Sequence, residues 1–162
     1  MPCVDVTALS QLLPRLDDHH RPRLLVLDVG SKTIGLAISD AGRSFANPLH
    51  THARGKLAVD LAMLQALVAE RSVGALIYGW PLTLEGAISP ACQRVQNLAA
   101  LIDQAMPMPY LLWDERMSTA AVNRMLIEQA DQSRQKRARK VDALAAAWLL
   151  QGLLDCLDRQ LS

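Results

Sequence analysis

Leu24-Leu25-Val26-Leu27 is a continuous apolar run of strand length that stops at Asp28-Val29-Gly30, and it constrains the fold more than any other stretch. A strand buried on both faces reads this way, whereas a strand with one wet face alternates. An acid at the end of such a strand is costly unless it is paired, and that end is where open α/β sheets gather ligands. After Ser31-Lys32-Thr33, the segment Ile34-Gly35-Leu36-Ala37-Ile38-Ser39-Asp40 carries large apolar residues at alternate positions, which predicts a hairpin partner. A third strand from about Ser44 to His50 completes a meander.

Downstream the period changes. Leu57, Leu61, Leu64 and Val68 fall on one helical stripe, and Ala75-Leu76-Ile77-Tyr78 reads as a short strand stopping at Gly79-Trp80-Pro81. Cys92, Val95, Leu98, Ala99 and Ile102 repeat the helical spacing until Pro107 and Pro109 break it. Tyr110-Leu111-Leu112-Trp113 is then another strand, ending at Asp114-Glu115-Arg116. A helix is expected from Ser118 to about Gln129, followed by a mostly polar stretch over 130–139. Val141, Leu144, Ala145, Trp148 and Leu149 set the core stripe of a last helix. The order is β-β-β-α-β-α-β-α, with the final helical region in two pieces. Residues 1–22, with Pro2, Pro14, Pro22 and the run Asp17 to His20, read as a brief helix and linker, an N-terminal extension ahead of a domain over 23–162.

A chain of 162 residues allows one domain of ordinary size. Seventeen Lys and Arg against sixteen Asp and Glu leave a formal charge of +1, so any polyanion must be met by a local patch. The longest uncharged runs, Ser72 to Leu84 and Ala143 to Leu154, fall short of the roughly 18 apolar residues a membrane helix needs. No secretory signal is readable at the N-terminus. Cys3, Cys92 and Cys156 form no C-x-x-C pair, give no zinc site, and fit reduced thiols in the cytoplasm.

Three sets of acids stand at the ends of elements. For Asp28 alone two readings are balanced: a turn aspartate accepting backbone N–H bonds, or an acid facing a ligand. Of Asp114 and Glu115, strand alternation lets only one face the same side as Asp28; the other reading is a salt bridge to Arg116 or a cap on the next helix. Asp142, early in the last helix, alone would be explained by the helix dipole. Together they are a potential cluster of hard oxygen ligands suited to Mg²⁺ or Mn²⁺, and two such ions can activate water for phosphodiester cleavage.

Arg134, Lys136, Arg137, Arg139 and Lys140 put five cations into seven residues directly before Asp142. Such a run is either a solvated loop or a phosphate-binding strip. Gly30 to Gly35 lacks the order of a Walker A loop, and Lys32 at the hairpin tip is positioned to touch a phosphate or to be solvated. Gly79-Trp80-Pro81-Leu82 with Glu85-Gly86 is a second strand-end loop, whose glycines suit close approach to a substrate or a plain connection. His19, His20, His50 and His52 read as surface residues before metal ligands, and Ser118 has no evident catalytic partners.

Four blocks carry a resemblance: Leu27 through Asp40, Gly79-Trp80-Pro81-Leu82 with Gly86, Asp114 through Thr119, and Lys140 through Ala146. In order and spacing they resemble the YqgF (RuvX) family over about residues 23–158. Those bacterial proteins are similar to Holliday-junction resolvases and are described as nucleases processing the 5′ end of pre-16S ribosomal RNA. The resemblance implies an α/β, ribonuclease H-like fold with a five-stranded mixed sheet, three strands antiparallel and then two parallel, flanked by helices. It also implies metal-dependent phosphodiester hydrolysis, with Asp28, one of Asp114 and Glu115, and Asp142 as the metal-binding set. Arg116, Lys32 and the cations over 134–140 would position phosphates. Trp80 stands where a smaller aliphatic residue is usual.

The expectation is a cytoplasmic nuclease using Mg²⁺ or Mn²⁺, a monomer or homodimer, acting on structured RNA, with Glu115 beside Asp28 and Asp142 as the favoured catalytic acids. Cleavage of branched DNA is the nearest alternative, and a non-catalytic RNA-binding module for ribosome assembly is another. A sugar-kinase or actin-like ATPase would need two such domains, and the chain has room for one.

Overall fold

A computed structural model describes residues 3–5, 7–9, 11–12, 22–115 and 134–161; the side chains at 3–4, 134–142 and 160–161 are outside that description. The elements are β1 (Cys3–Val4), β2 (Arg23–Val29), β3 (Thr33–Ser39), β4 (Ala46–Ala53), α1 (Leu57–Arg71), β5 (Val73–Trp80), α2 (Pro90–Ala105), β6 (Tyr110–Asp114) and α3 (Arg134–Leu161). The helix expected from Ser118 falls outside the described residues.

One sheet runs in the order β1-β6-β5-β2-β3-β4. The apolar run that reads as a doubly buried strand is its centre. Leu24 through Leu27 are fully buried, and β2 pairs antiparallel with β3 on one side and parallel with β5 on the other. β3 pairs antiparallel with β4 and β5 parallel with β6, which gives the expected five-stranded mixed sheet. The third strand starts two residues later than expected and runs on to Ala53, with a bulge where the register shifts between Leu36 and Ala37.

The N-terminal segment adds to this sheet. Cys3 and Val4 pair in parallel with Tyr110 and Leu111 of β6, extending the edge. Asp5 then starts a helical turn: its Oδ1 accepts the Ala8 N–H at 2.7 Å and its carbonyl accepts the Leu9 N–H at 2.9 Å. Leu9 is fully buried.

Alternation along the strands divides the core into two layers. Leu25, Leu27, Ile34, Leu36, Leu76 and Tyr78 pack with Leu64 of α1 and with Val95, Leu98 and Ile102 of α2. Leu24, Val26, Ala37, Ala75, Ile77, Leu111 and Trp113 face Ala146, Leu149, Leu150 and Leu153 of α3, and Leu9 joins them. The contact face of α3 is alanine-rich at Ala143, Ala146 and Ala147 and leucine-rich from Leu149 onward, which shifts it from the expected stripe: Leu144 and Ala145 are half-buried and Trp148 is exposed. Burying such apolar faces is worth about 25 cal/mol per Å² removed from water, and it is the main term holding the layers together.

The basic run is not a loop: α3 begins at Arg134, so residues 134–140 form its first two turns and the last helix is longer than its apolar stripe. Arg, Gln, Lys and Ala are good helix formers and no glycine or proline interrupts them, which here outweighs repulsion between neighbouring cations. Among the described residues no helix is long and apolar enough to cross a membrane.

Candidate active site

Because β2, β5 and β6 run parallel, their carboxyl ends share one edge of the sheet. Asp28 is the penultimate residue of β2, Gly79 and Trp80 close β5, and Asp114 closes β6 with Glu115 directly after it. Leu24 and Val26 face α3, so Asp28, next in the same alternation, faces α3 too. Leu111 and Trp113 set the same parity on β6, which brings Glu115 to the α3 side. Asp114 shares the parity of Tyr110 and Leu112 and so belongs to the opposite layer.

The side chains bear this out, for Glu115 and Asp28 are hydrogen-bonded to each other. Burial pushes the Glu115 carboxyl above its ordinary range; the hydrogen bond to Asp28 pulls it part of the way back, and the charge of Asp114 pushes it up again. Two carboxyl groups that touch in a half-buried site share a proton or a cation, since both cannot carry unscreened charge.

Gly79 makes room for this pair. A Cβ at Gly79 would lie 2.6 Å from Glu115 Oε1, 3.2 Å from its Cγ and 3.0 Å from Leu149 Cδ1. Any larger residue would push the carboxylate away. As a strand-end glycine, Gly79 reads as a point of approach for a substrate or as part of a plain connection; in the structure its close neighbour is the Glu115 side chain. Its position two residues after Ile77, on the α3 face, is the signal that could have found this.

Asp142 lies in α3, four residues before Ala146 and seven before Leu149, the residue that meets Gly79. Its side chain, like those of Arg134, Lys136, Arg137, Arg139 and Lys140, is outside the described residues, and so is all of Arg116. Lys32 is exposed at the tip of the β2–β3 hairpin. Among the described residues no group of three or more His, Cys, Asp or Glu could hold a metal; the described pair is Asp28 and Glu115. That pair offers only hard oxygen donors, one of them inclined to keep a proton, and a divalent cation in the proton's place fits this chemistry.

The remaining candidates have structural partners. His52 Nε2 lies 2.8 Å from Oδ1 of Asp60, which is nearly fully buried and also accepts the Gly55 N–H at 3.1 Å. Trp80 is half-buried against the α1–α2 layer. Beyond it, the turn at 83–87 is closed by Thr83 N–H to Ala87 O and Gly86 N–H to Thr83 O, both 2.9 Å, with Gly86 at a φ of 86°. His19 and His20 lie outside the described residues.

The model of the family described as "RuvX: Holliday junction resolvase" matches residues 22–156. The chain belongs to the RuvX family. A relative from Paramagnetospirillum magneticum, named "Putative pre-16S rRNA nuclease", is 47% identical over 150 residues, 93% of this chain and 95% of its own. Relatives under the same name from Sphingopyxis alaskensis and Rhodospirillum rubrum are 49% and 42% identical over 85% and 99% of this chain, and 89% and 96% of their own. Among solved structures, Thermus thermophilus RuvC in complex with Holliday-junction substrate aligns with a TM-score of 0.52 at 12% identity, over 86% of this RuvX chain and 96% of that one. The yeast mitochondrial resolvase Ydc2 gives 0.52 at 13%, over 92% and 87%. At that identity the likeness is one of fold, and the RuvX chain has the ribonuclease H-like fold of these resolvases.

Proposed function

We propose that this RuvX chain is a divalent-metal-dependent nuclease of the cytoplasm that hydrolyses a phosphodiester at the 5′ end of pre-16S rRNA. The observation that carries this reading is the Asp28–Glu115 carboxyl pair at the carboxyl edge of the parallel strands, in a chain nearly half identical to relatives named for that activity. Asp28, Glu115 and Asp142 would hold Mg²⁺ or Mn²⁺. Asp142 is assigned from its place on α3, one turn before Ala146, and Asp114 is left on the far layer. When bound, such ions lower the pKa of the attacking water and stabilise the leaving oxygen.

The chain's own residues do the rest. Gly79 keeps the space in which Glu115 reaches Asp28, and the rigid β-sheet fixes both at the mouth of the site. Lys32 at the hairpin tip and Arg116 after Glu115 are placed in sequence to bind phosphates on either side of the acids. The cations over 134–140, in the opening turns of α3, extend that strip toward Asp142.

Two substrates are compared in one experiment: a pre-16S 5′ leader and a synthetic four-way DNA junction, each with and without Mg²⁺ or Mn²⁺. Metal-dependent cleavage of the leader, lost in a folded Asp28→Asn variant, is the expected result. Preference for the junction by a stable homodimer would favour the resolvase reading, since two-fold junctions need two-fold enzymes. Full activity in Asp28→Asn would remove Asp28 from the site.

A further inference from the structure

On the opposite layer of the sheet from Glu115, a cavity of about 260 Å³ opens between the start of α1 and the middle of α2, its polar lining Arg54, Asp60, Arg94 and Asn97 and its apolar lining Leu57, Leu98 and Leu101. Nothing in the nuclease site uses these residues. Arg54 is half-buried, and its Nη1 donates to the Gly30 carbonyl at 2.8 Å, so the guanidinium is held in place while its other N–H groups stay available. Arg94 is exposed one turn before Leu98. Among the described residues neither arginine is in an ion pair. Asn97 Oδ1 accepts from Gln93 Nε2 at 2.8 Å, so the group Asn97 has left to offer a ligand is its amide nitrogen, a donor. Asp60 contributes the cavity's carboxylate, and its Oδ1 is already engaged by His52 and the Gly55 N–H. No side chain caps the N-terminus of α1; the Val59 and Asp60 N–H groups bond the Lys56 carbonyl at 3.0 and 3.1 Å, and Leu57, which lines the cavity, is the first residue of the helix.

Two guanidinium groups and an amide donor around a small cavity, against one engaged carboxylate, make a site for an oxyanion of phosphate size. The site is tied to the candidate active site through the backbone. Arg54 grips Gly30 through its side chain and Lys32 through its own N–H, at 2.8 and 2.9 Å, and both belong to the turn that follows Asp28. We propose that the Arg54–Arg94 cavity binds a backbone phosphate of the RNA substrate beyond the bond that is cut, so that the strand passes from the acids over the Lys32 tip onto this second anchor. This rests on the nuclease reading and adds to it a phosphate subsite on the other face of the hairpin.

The test is binding of a fluorescent pre-16S leader RNA to full-length protein carrying Asp28→Asn, measured over a salt series. Adding Arg94→Ala should weaken Kd about 5- to 20-fold at moderate salt, and make the log–log salt slope shallower by about one phosphate contact, equally for the leader and for a scrambled sequence. Arg94→Glu should weaken binding further and Arg94→Lys should restore part of it. Arg94 is exposed, so these variants keep the wild-type Tm; Arg54→Lys repeats the test at the half-buried anchor. Unchanged Kd and slope in Arg94→Glu overturn the proposal, as does weaker binding with no change in slope. Cleavage by the chain with Asp28 intact is scored separately, and its absence would overturn the nuclease reading without touching the phosphate subsite.

Discussion

Asp28-Val29-Gly30 and Asp40-Ala41-Gly42 are the same local pattern at opposite edges of the sheet, since β2 and β3 run antiparallel. Asp40 Oδ1 accepts the N–H groups of Ser44 at 2.7 Å and Phe45 at 2.9 Å, closing the turn in which Arg43 takes a φ of 55°. The Phe45 hydrogen bond chiefly holds its carboxyl below the ordinary value. Asp28 instead meets another carboxyl, one delivered by a strand more than eighty residues further along the chain, while the Gly30 N–H goes to the Thr33 carbonyl at 2.8 Å. Local sequence is common to the two; what separates a turn-maker from a site residue is what the parallel strands bring alongside it.

The comparison is broken most severely by exchanging each acid for its amide. Asp28→Asn should reduce metal-dependent cleavage on the order of 10³-fold or more, because on the proposed reading it removes an oxygen that would hold the metal, whereas Asp40→Asn should leave cleavage within about twofold. Steady-state kinetics on the leader RNA measure both, and comparable losses would erase the distinction. Gly79→Ala comes next: its Cβ would collide with Glu115 Oε1, so activity should fall about 10- to 100-fold, as for other groups that orient a metal ligand, with a loss of about 1–3 kcal/mol in stability.

Asp40→Ala should act on stability alone. Losing the two turn hydrogen bonds is expected to cost about 1–2 kcal/mol, or about 2–8 °C in Tm for a domain of this size, seen by thermal unfolding. The smallest effect is the most discriminating, because the two edges should respond to pH with opposite signs. Asp40, with a folded pKa below 3.8, contributes stability that is present above that pH and is lost as pH falls through the folded value. Glu115, raised above 4.5, contributes stability that is present below 4.5 and is lost as pH rises through its folded value. Metal-free Glu115→Gln should therefore be more stable than wild type at pH 8 by a degree or a few, and equal to it near pH 4. Adding Mg²⁺ at pH 8 should raise the Tm of wild type and not of Asp28→Asn.

Much of the fold is legible in the sequence because it rests on periodicity. The doubly buried run at Leu24 to Leu27, the alternation from Ile34 and the stripe at Cys92–Ile102 each state their element and its buried face; the stripe at Leu57–Val68 states its helix, but Leu57 is exposed and Asp60 is buried beside Leu64. The edge strand at Cys3–Val4 is too short to have a period, and it forms only because β6 offers an unpaired edge. The start of α3 at Arg134 was hidden for a different reason: its first turns carry no apolar stripe, so the sequence marks them as helix only through the propensity of Arg, Gln, Lys and Ala. At the site, Asp28 could be singled out from the strand that ends in it. The choice between Asp114 and Glu115 could not be made, because it depends on which face of β6 meets α3. Trp113 and Leu111 decide that only once α3 is in place.

The parallel pairing of Cys3 with Tyr110 joins residues 107 positions apart, and Leu9 shares a core with Leu150 and Leu153. During synthesis β1 is therefore made long before β6, the strand it pairs with. Contacts of such long separation slow folding. Until β6 has emerged, β1 has no edge to pair with, and until α3 follows, Leu9 lacks Leu150 and Leu153. The strand that ends next to Glu115 is also the one that receives β1, so the candidate acid pair and residues 3–4 depend on the same late strand.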